Sequence, residues 1–196
     1  MQTTPESLEL QGILSDMLKS GITHAVIEAS SHGLDMDRLA ECHFDVAVFT
    51  NLTREHLDYH TTMEEYFLSK KRLFSELLAQ SAKRNRWAII NADDPWGKNL
   101  TVQRGIGVLT YGIRRGWNVY AREVELSDKG IRARVKTPEG DFDIHSPLLG
   151  EHNLYNILGA TAVGIALGIP LNKIKPAIER VKIIPGRLER IQNNRG

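Results

Sequence analysis

Short apolar runs that each end on a polar residue constrain this chain more than any other feature. Residues 23–27 deliver Glu28, residues 44–50 deliver Asn51, and residues 87–90 deliver Asn91 and Asp93. Runs this short and continuous predict buried strands rather than helices. Helical patterns separate them. Leu10, Ile13, Leu14, Met17 and Leu18 form one apolar stripe closed by Gly21, and a second pattern runs from Thr62 to Leu78. Thr3 or Thr4 is placed to cap the first helix, with Pro5 opening it and Glu6 reaching back as in a capping box. Strands alternating with helices predict an α/β fold, a mostly parallel sheet flanked by helices. Ligands of such a sheet bind beyond the carboxyl ends of its strands, where the polar residues are delivered.

The texture changes after Gly112. Residues 119–126, 131–135 and 142–144 alternate apolar with polar, and Asp128-Lys129-Gly130 and Pro138-Glu139-Gly140 stand between them as turns. This predicts a small three-stranded antiparallel subdomain over about 117–149, one face packed and one wet. A helix follows over about 153–167, closed by Gly168 with Pro170 beyond, and a shorter one starts near Asn172. Pro185-Gly186 reads as a boundary, which makes 1–184 one central domain and 185–196 the start of another.

Charge excludes some partners. Lys plus Arg number 25 and Asp plus Glu 24, a net charge of +1, so no basic field invites nucleic acid or an anionic membrane. Cys42 is the single cysteine, which rules out a disulfide framework and a cysteine zinc site and suits a reducing cytosol. No apolar run approaches the ~20 residues of a membrane span, and the first residues lack the pattern of a signal peptide. A soluble, cytoplasmic protein is expected.

Three groups of residues carry chemistry. Lys70 falls in the middle of an apolar stripe made by Met63, Tyr66, Phe67, Leu73, Phe74 and Leu77, on a helix opened by a Thr62/Glu65 capping box. A buried ammonium is costly unless paired, neutralised or modified. Either its stem snorkels past the stripe to water or it is a functional, modified lysine. Lys71, one residue round, reads as solvated. The segment 51–60 holds His56, His60, Glu55 and Asp58, which suit a hard divalent cation or a phosphate, or an ordinary polar loop. Glu28-Ala-Ser-Ser-His-Gly33 offers a carboxylate, small hydroxyls and a glycine, as a magnesium–phosphate site needs; a capped strand-to-helix turn has the same look. No Gly-x-x-x-x-Gly-Lys-Ser/Thr loop occurs in the chain, and Gly105-Ile-Gly107 is not a phosphate loop.

Taken together, Thr3-Thr4-Pro5, Glu28-Ala-Ser-Ser-His-Gly-Leu34, Phe49-Thr-Asn-Leu-Thr-Arg-Glu-His-Leu-Asp-Tyr-His60, Asn91-Ala-Asp-Asp94, Leu149-Gly-x-x-Asn153 and Gly186-Arg-Leu-Glu189 resemble the MurE-type Mur ligases over essentially the whole chain. These are ATP-dependent enzymes of peptidoglycan synthesis that add diaminopimelate or lysine to UDP-N-acetylmuramoyl-L-alanyl-D-glutamate through an acyl phosphate. The resemblance implies a Mur ligase central domain and a use of Mg2+ and ATP. It implies that Glu28 binds a magnesium between the nucleotide phosphates. His56 and Lys70, the latter as a carbamate, would bind a second magnesium, and these three would form the catalytic set. Thr3, Thr4, Ser30 and Arg38 match positions that hold the nucleotide-linked peptide; Asn153 and Arg187 match nucleotide contacts. Met36 stands where members often carry glutamine, and Glu55 where they often carry aspartate. Members place their phosphate loop before Thr3 and have further domains on either side, so the chain reads as a part of a ligase that is inactive alone. The alternatives are a cyanophycin or folylpolyglutamate synthetase, or a non-catalytic module that binds nucleotide and peptide.

Overall fold

The computed structural model describes residues 3–54 and 59–186. Helix α1 runs over Ser7–Lys19, with Glu6 at its cap position making no side-chain cap bond. The expected Thr3/Thr4 cap does not form, because Thr4 is fully buried and its hydroxyl donates instead to the Glu28 carbonyl at 2.8 Å. Of the predicted stripe only Leu10 is buried; Leu14 and Met17 are half-buried, and Ile13 and Leu18 are exposed. Amphipathicity marks a face that can be covered, and here the Leu34, Leu39 and Cys42 cluster buries Leu10 and packs on Leu14 only in part. Gly21 ends the helix in the left-handed conformation, φ +77°.

The first predicted strand is absent. Residues 22–30 are extended but form no ladder with the described residues, and Val26 is fully exposed. A strand is defined by its neighbour's hydrogen bonds, so an apolar run alone cannot make one. Ile27 and Ala29 still pack on the Leu10–Leu34–Leu39–Cys42 cluster.

Helix α2 (Ser31–Asp35) precedes β1 (Val46–Phe49), and α3 (Met63–Arg72) passes through a π-helical turn, Leu73–Leu77, into α4 (Leu78–Gln80). Thr62 caps α3 by accepting from the Glu65 N–H at 3.2 Å, but Glu65 reaches back to the Thr61 N–H, at 2.9 Å, one residue beyond the predicted box. Next come β2 (Trp87–Asn91) and β3 (Gly107–Gly112). Bonds from the Gly107 N–H to the Arg86 carbonyl and from the Ala92 N–H to the Tyr111 carbonyl run in one sense along β2 and β3, as in a parallel pair. The remaining elements are β4 (Val119–Ser127), β5 (Gly130–Thr137), β6 (Gly140–Ser146), α5 (Glu151–Ala166) and α6 (Leu171–Glu179), and the sheet order is β1-β2-β3-β4-β5-β6.

The antiparallel meander joins this sheet through β4, which pairs parallel to β3 at only two positions, Tyr111↔Val119 and Gly112↔Tyr120. That short overlap explains how the brief connection 113–118 can link parallel strands without a crossover helix. Ser127↔Gly130 and Thr137↔Gly140 close the two hairpins at the predicted turns. Gly130 sits at φ +130° with no room for a Cβ, which would lie 2.1 Å from the Ser146 carbonyl oxygen. Along β5, Ile131, Ala133 and Val135 are buried and Arg132 and Arg134 exposed, the predicted packed and wet faces.

The chain divides into two compact units: Met1–Ala47, Leu52–Ala88 and Asn99–Gly107 in one, and Val48–Asn51, Ile89–Lys98 and Val108–Gly196 in the other. The first holds α1 to α4 around the Leu10 cluster. The second buries Tyr111, Val119, Val135, Ile144, Leu154 and Leu158, with α5 and α6 against the strands. There a Cβ on Gly164 would meet Ile174 at 2.7 Å, so α5 and α6 approach where α5 has no side chain.

Candidate functional site

In the first unit, Thr4 organises the turn that carries Glu28. Its hydroxyl donates to the Glu28 carbonyl, contacts the Ser30 hydroxyl at 3.0 Å and accepts from the Ser30 N–H at 2.9 Å. The Ser30 hydroxyl in turn caps α2 by accepting from the Gly33 N–H at 3.0 Å. Arg38, buried, donates from Nη1 to the Thr4 carbonyl at 3.0 Å and pairs through Nη2 with Glu6 at 2.9 Å. Its Nη2 also lies 3.1 Å from the sulfur of Met36, the residue that stands in the glutamine position. Thr3 is exposed. The turn is thus a capped start of a helix, as the plainer reading of its sequence predicts, and it holds the exposed Glu28 carboxylate at its head.

Helix α3 lies against this turn. The Ser69 hydroxyl donates to the Ser31 carbonyl at 2.8 Å, and Arg72 donates from Nη1 to the Leu34 carbonyl at 2.6 Å and from Nη2 to Asp37 at 2.6 Å. The bonds to Asp37 and Glu76 keep the Arg72 guanidinium firmly charged. Lys70 is half-buried, with Nζ 5.3 Å from the centroid of the Tyr66 ring. Tyr66 stacks on His60 at 5.1 Å, His60 meets Tyr59 edge-on at 4.8 Å, and Tyr59 lies 3.9 Å from His32 and donates to Asp35 at 2.7 Å. The Lys70 ammonium is thus flanked by an aromatic face rather than by plain hydrocarbon. Lys71 is half-buried as well, which corrects the expectation of a solvated neighbour; the packing of α3 covers both. His56 and Arg187 lie outside the described residues.

The second unit gathers the polar residues at the end of β2. Asn91, buried, donates from Nδ2 to the Thr50 carbonyl at 2.7 Å and accepts from the Asp93 N–H at 3.1 Å. Asp93 accepts from the N–H groups of Ile113 (2.6 Å) and Arg114 (3.2 Å), the Trp117 indole (2.8 Å) and the Tyr155 hydroxyl (3.1 Å). Burial raises its pKa, but these four donors outweigh it and hold the carboxyl below its ordinary range. Asn153 is buried, giving Nδ2 to the Leu149 carbonyl at 2.7 Å and accepting from Asn156 at 3.3 Å. Both halves of its amide are engaged at the start of α5, where Gly150 takes φ +84°.

Sequence reasoning missed β3, although a β-branched and aromatic run bounded by Gly107 and Gly112 signals it. It also missed Ser69, Arg72, Trp117 and Tyr155. Trp117 and Tyr155 matter only through Asp93, which lies far from both in the chain, and a charged residue such as Arg72 reads as an ordinary solvated one.

The donors fit a hard cation in kind. The Glu28 carboxylate has no hydrogen bond or ion pair among the described residues, and the Ser31 hydroxyl, three residues on in the same turn, is buried without a partner. No group of three acidic, histidine or cysteine side chains assembles among the described residues.

The sequence signature of the Mur ligase middle domain matches residues 1–164. The chain is 49% identical over 195 residues to the UDP-N-acetylmuramoyl-L-alanyl-D-glutamate–2,6-diaminopimelate ligase of Geobacter metallireducens, covering 99% of this chain and 38% of that protein. It is 43% identical over 188 residues to the ligase of the same name from Bacillus licheniformis, covering 95% of this chain and 38% of the relative. A solved diaminopimelate ligase superposes with TM-score 0.86 at 32% identity, over 98% of this chain and 39% of that one. MurF from Acinetobacter baumannii follows with TM-score 0.68 at 26% identity, over 77% of this chain and 32% of that one. The chain belongs to the Mur ligase family and has the fold of its middle domain. It spans about two fifths of the length of these relatives. Among the described residues no helix is long and apolar enough to cross a membrane.

Proposed function

We propose that this chain is the nucleotide- and phosphate-handling part of an ATP-dependent ligase that joins diaminopimelate to UDP-N-acetylmuramoyl-L-alanyl-D-glutamate in the cytoplasm. The observation that carries the reading is Lys70, half-buried beside the Tyr66 ring on a helix bonded through Ser69 to the turn below Glu28. Identity of 49% to a protein named for that reaction supports the substrate class.

In this reading the dipeptide carboxylate attacks the terminal phosphorus of ATP, ADP leaves, and the amine of diaminopimelate displaces phosphate from the acyl phosphate. Bound magnesium neutralises charge on the phosphoryl oxygens. Glu28 would hold one magnesium, and His56 with Lys70 as its carbamate would hold a second. Thr3, Thr4, Ser30 and Arg38 would hold the nucleotide-linked peptide, and the last three also build the turn that carries Glu28. Asn153, at the start of α5, and Arg187 would contact the nucleotide.

The test is a chimera in which residues 3–186 replace the matching part of the Geobacter metallireducens relative. Diaminopimelate-dependent ADP release is expected from it. Lys70→Ala should lower turnover by at least about 100-fold, since it removes a metal ligand, and short carboxylic acids should restore part of it. Lys71→Ala, which removes none of the proposed ligands, should lower turnover by less than about tenfold. A Lys70→Ala chimera with normal turnover would sink the reading.

A further inference from the structure

We infer that Ser69 and Arg72 are positioning residues that hold Lys70 in register beside the turn carrying Glu28, so that each can present its ligand to magnesium. This rests on the reading of Lys70 and Glu28 as magnesium ligands. Ser69 and Arg72 lie three residues apart on α3 and flank Lys70. Ser69 grips the first residue of α2 through the Ser31 carbonyl, and Arg72 grips its C-terminal end through the Leu34 carbonyl. A single bond would leave a pivot; two, at opposite ends of a five-residue helix, resist both sliding and rotation. The Ser69–Ser31 bond is buried, so water does not compete for it.

The chain just beyond the clamp explains why one is needed. Regular helix ends at Arg72, and the π-helical turn Leu73–Leu77 admits an extra residue, which turns the side chains after it. Lys70 therefore cannot take its register from the packing of Phe74 and Leu78 alone. Arg72 also bonds Glu76 at 2.9 Å across that turn, which braces the clamp from the far side. The reaction itself requires neither a hydroxyl at 69 nor a guanidinium at 72. Their bonds go to backbone carbonyls of α2, the helix that follows the Glu28 turn, and so support the proposed ligands from behind.

The chimera separates positioning from plain stability. Ser69→Ala and Arg72→Met should each raise the magnesium concentration for half-maximal turnover about tenfold, the usual effect of losing such support. The KM for diaminopimelate should change less than twofold. Calorimetric titration of magnesium into the ADP-bound protein should show the same tenfold weakening without turnover, and Ser69→Thr should restore it. Normal magnesium affinity in folded Ser69→Ala and Arg72→Met proteins would overturn the inference. Should Ser69→Ala not fold, the Arg72→Met titration decides alone. Lys70→Ala is the control. Weakened magnesium binding there beside a normal Ser69→Ala overturns only the positioning role, whereas normal binding in Lys70→Ala overturns the ligand reading and this one together.

Discussion

The Tyr155 hydroxyl on α5 donates to Oδ2 of Asp93 at the end of β2, 3.1 Å away and 62 residues distant in sequence. The Asp93 side chain is 5% exposed, and the bonds that lower its pKa exist only in the folded state. Its ionised form therefore stabilises the fold above the ordinary carboxylate pKa, and that stability is lost as pH falls through the lowered folded value. Asp93→Asn should cost about 3 kcal/mol at pH 7, and the gap to the unsubstituted chain should close as pH drops below about 4. Urea melts from pH 7 to pH 3 check this; a gap independent of pH would contradict it.

Tyr155 itself titrates in the opposite sense. Burial and the neighbouring Asp93 carboxylate raise its hydroxyl to about 12, so its contribution persists below about pH 10 and fades only as pH rises towards 12. Tyr155→Phe should cost about 1 kcal/mol, constant from pH 6 to pH 9 in the same melts.

Gly33 and Gly12 should respond in opposite directions to alanine. A Cβ on Gly33 would stand 2.8 Å from the Cβ of Thr4, which is locked by its bonds to residues 28 and 30. Gly33→Ala should destabilise by about 2 kcal/mol. Gly12, exposed within α1, has nothing within 4 Å of its Cβ position, and Gly12→Ala should stabilise by up to about 1 kcal/mol. Thermal melts of the two variants should move apart.

Thr4→Val should cost about 2 kcal/mol, because the methyl that replaces the hydroxyl leaves the Glu28 carbonyl and the Ser30 N–H without their partner. Thr4→Ser should keep most of that stability. Equal melting temperatures for the Val and Ser variants would remove Thr4 from the turn's support.

The purified 196-residue chain should release no phosphate in response to diaminopimelate and should bind ATP weakly, since its sequence has no Gly-rich loop ending in Gly-Lys-Ser/Thr to cradle the phosphates. Micromolar ATP affinity by calorimetry would contradict this.

Much of this was legible in the residues. Asp128-Lys129-Gly130 and Pro138-Glu139-Gly140 identify their hairpins because only certain residues tolerate tight turns. Thr62 marks the start of α3 and Gly168 the end of α5, since capping is local chemistry within a few residues. Lys70 stands out in its stripe for the same reason, because the helical period is written in sequence.

What tertiary structure alone decided is which distant groups meet. Residues 23–27 look like a strand but find no ladder partner among the described residues, and Thr4 looks like a cap but is drawn to Glu28 and Ser30. The Ser69–Ser31 clamp and the Asp93–Tyr155 bond join residues 38 and 62 positions apart. Local signals such as caps, turns and periodicity involve neighbours whose spacing the covalent chain sets. Burial and long-range hydrogen bonds depend on which surfaces pack together, and that choice is made by the whole fold at once.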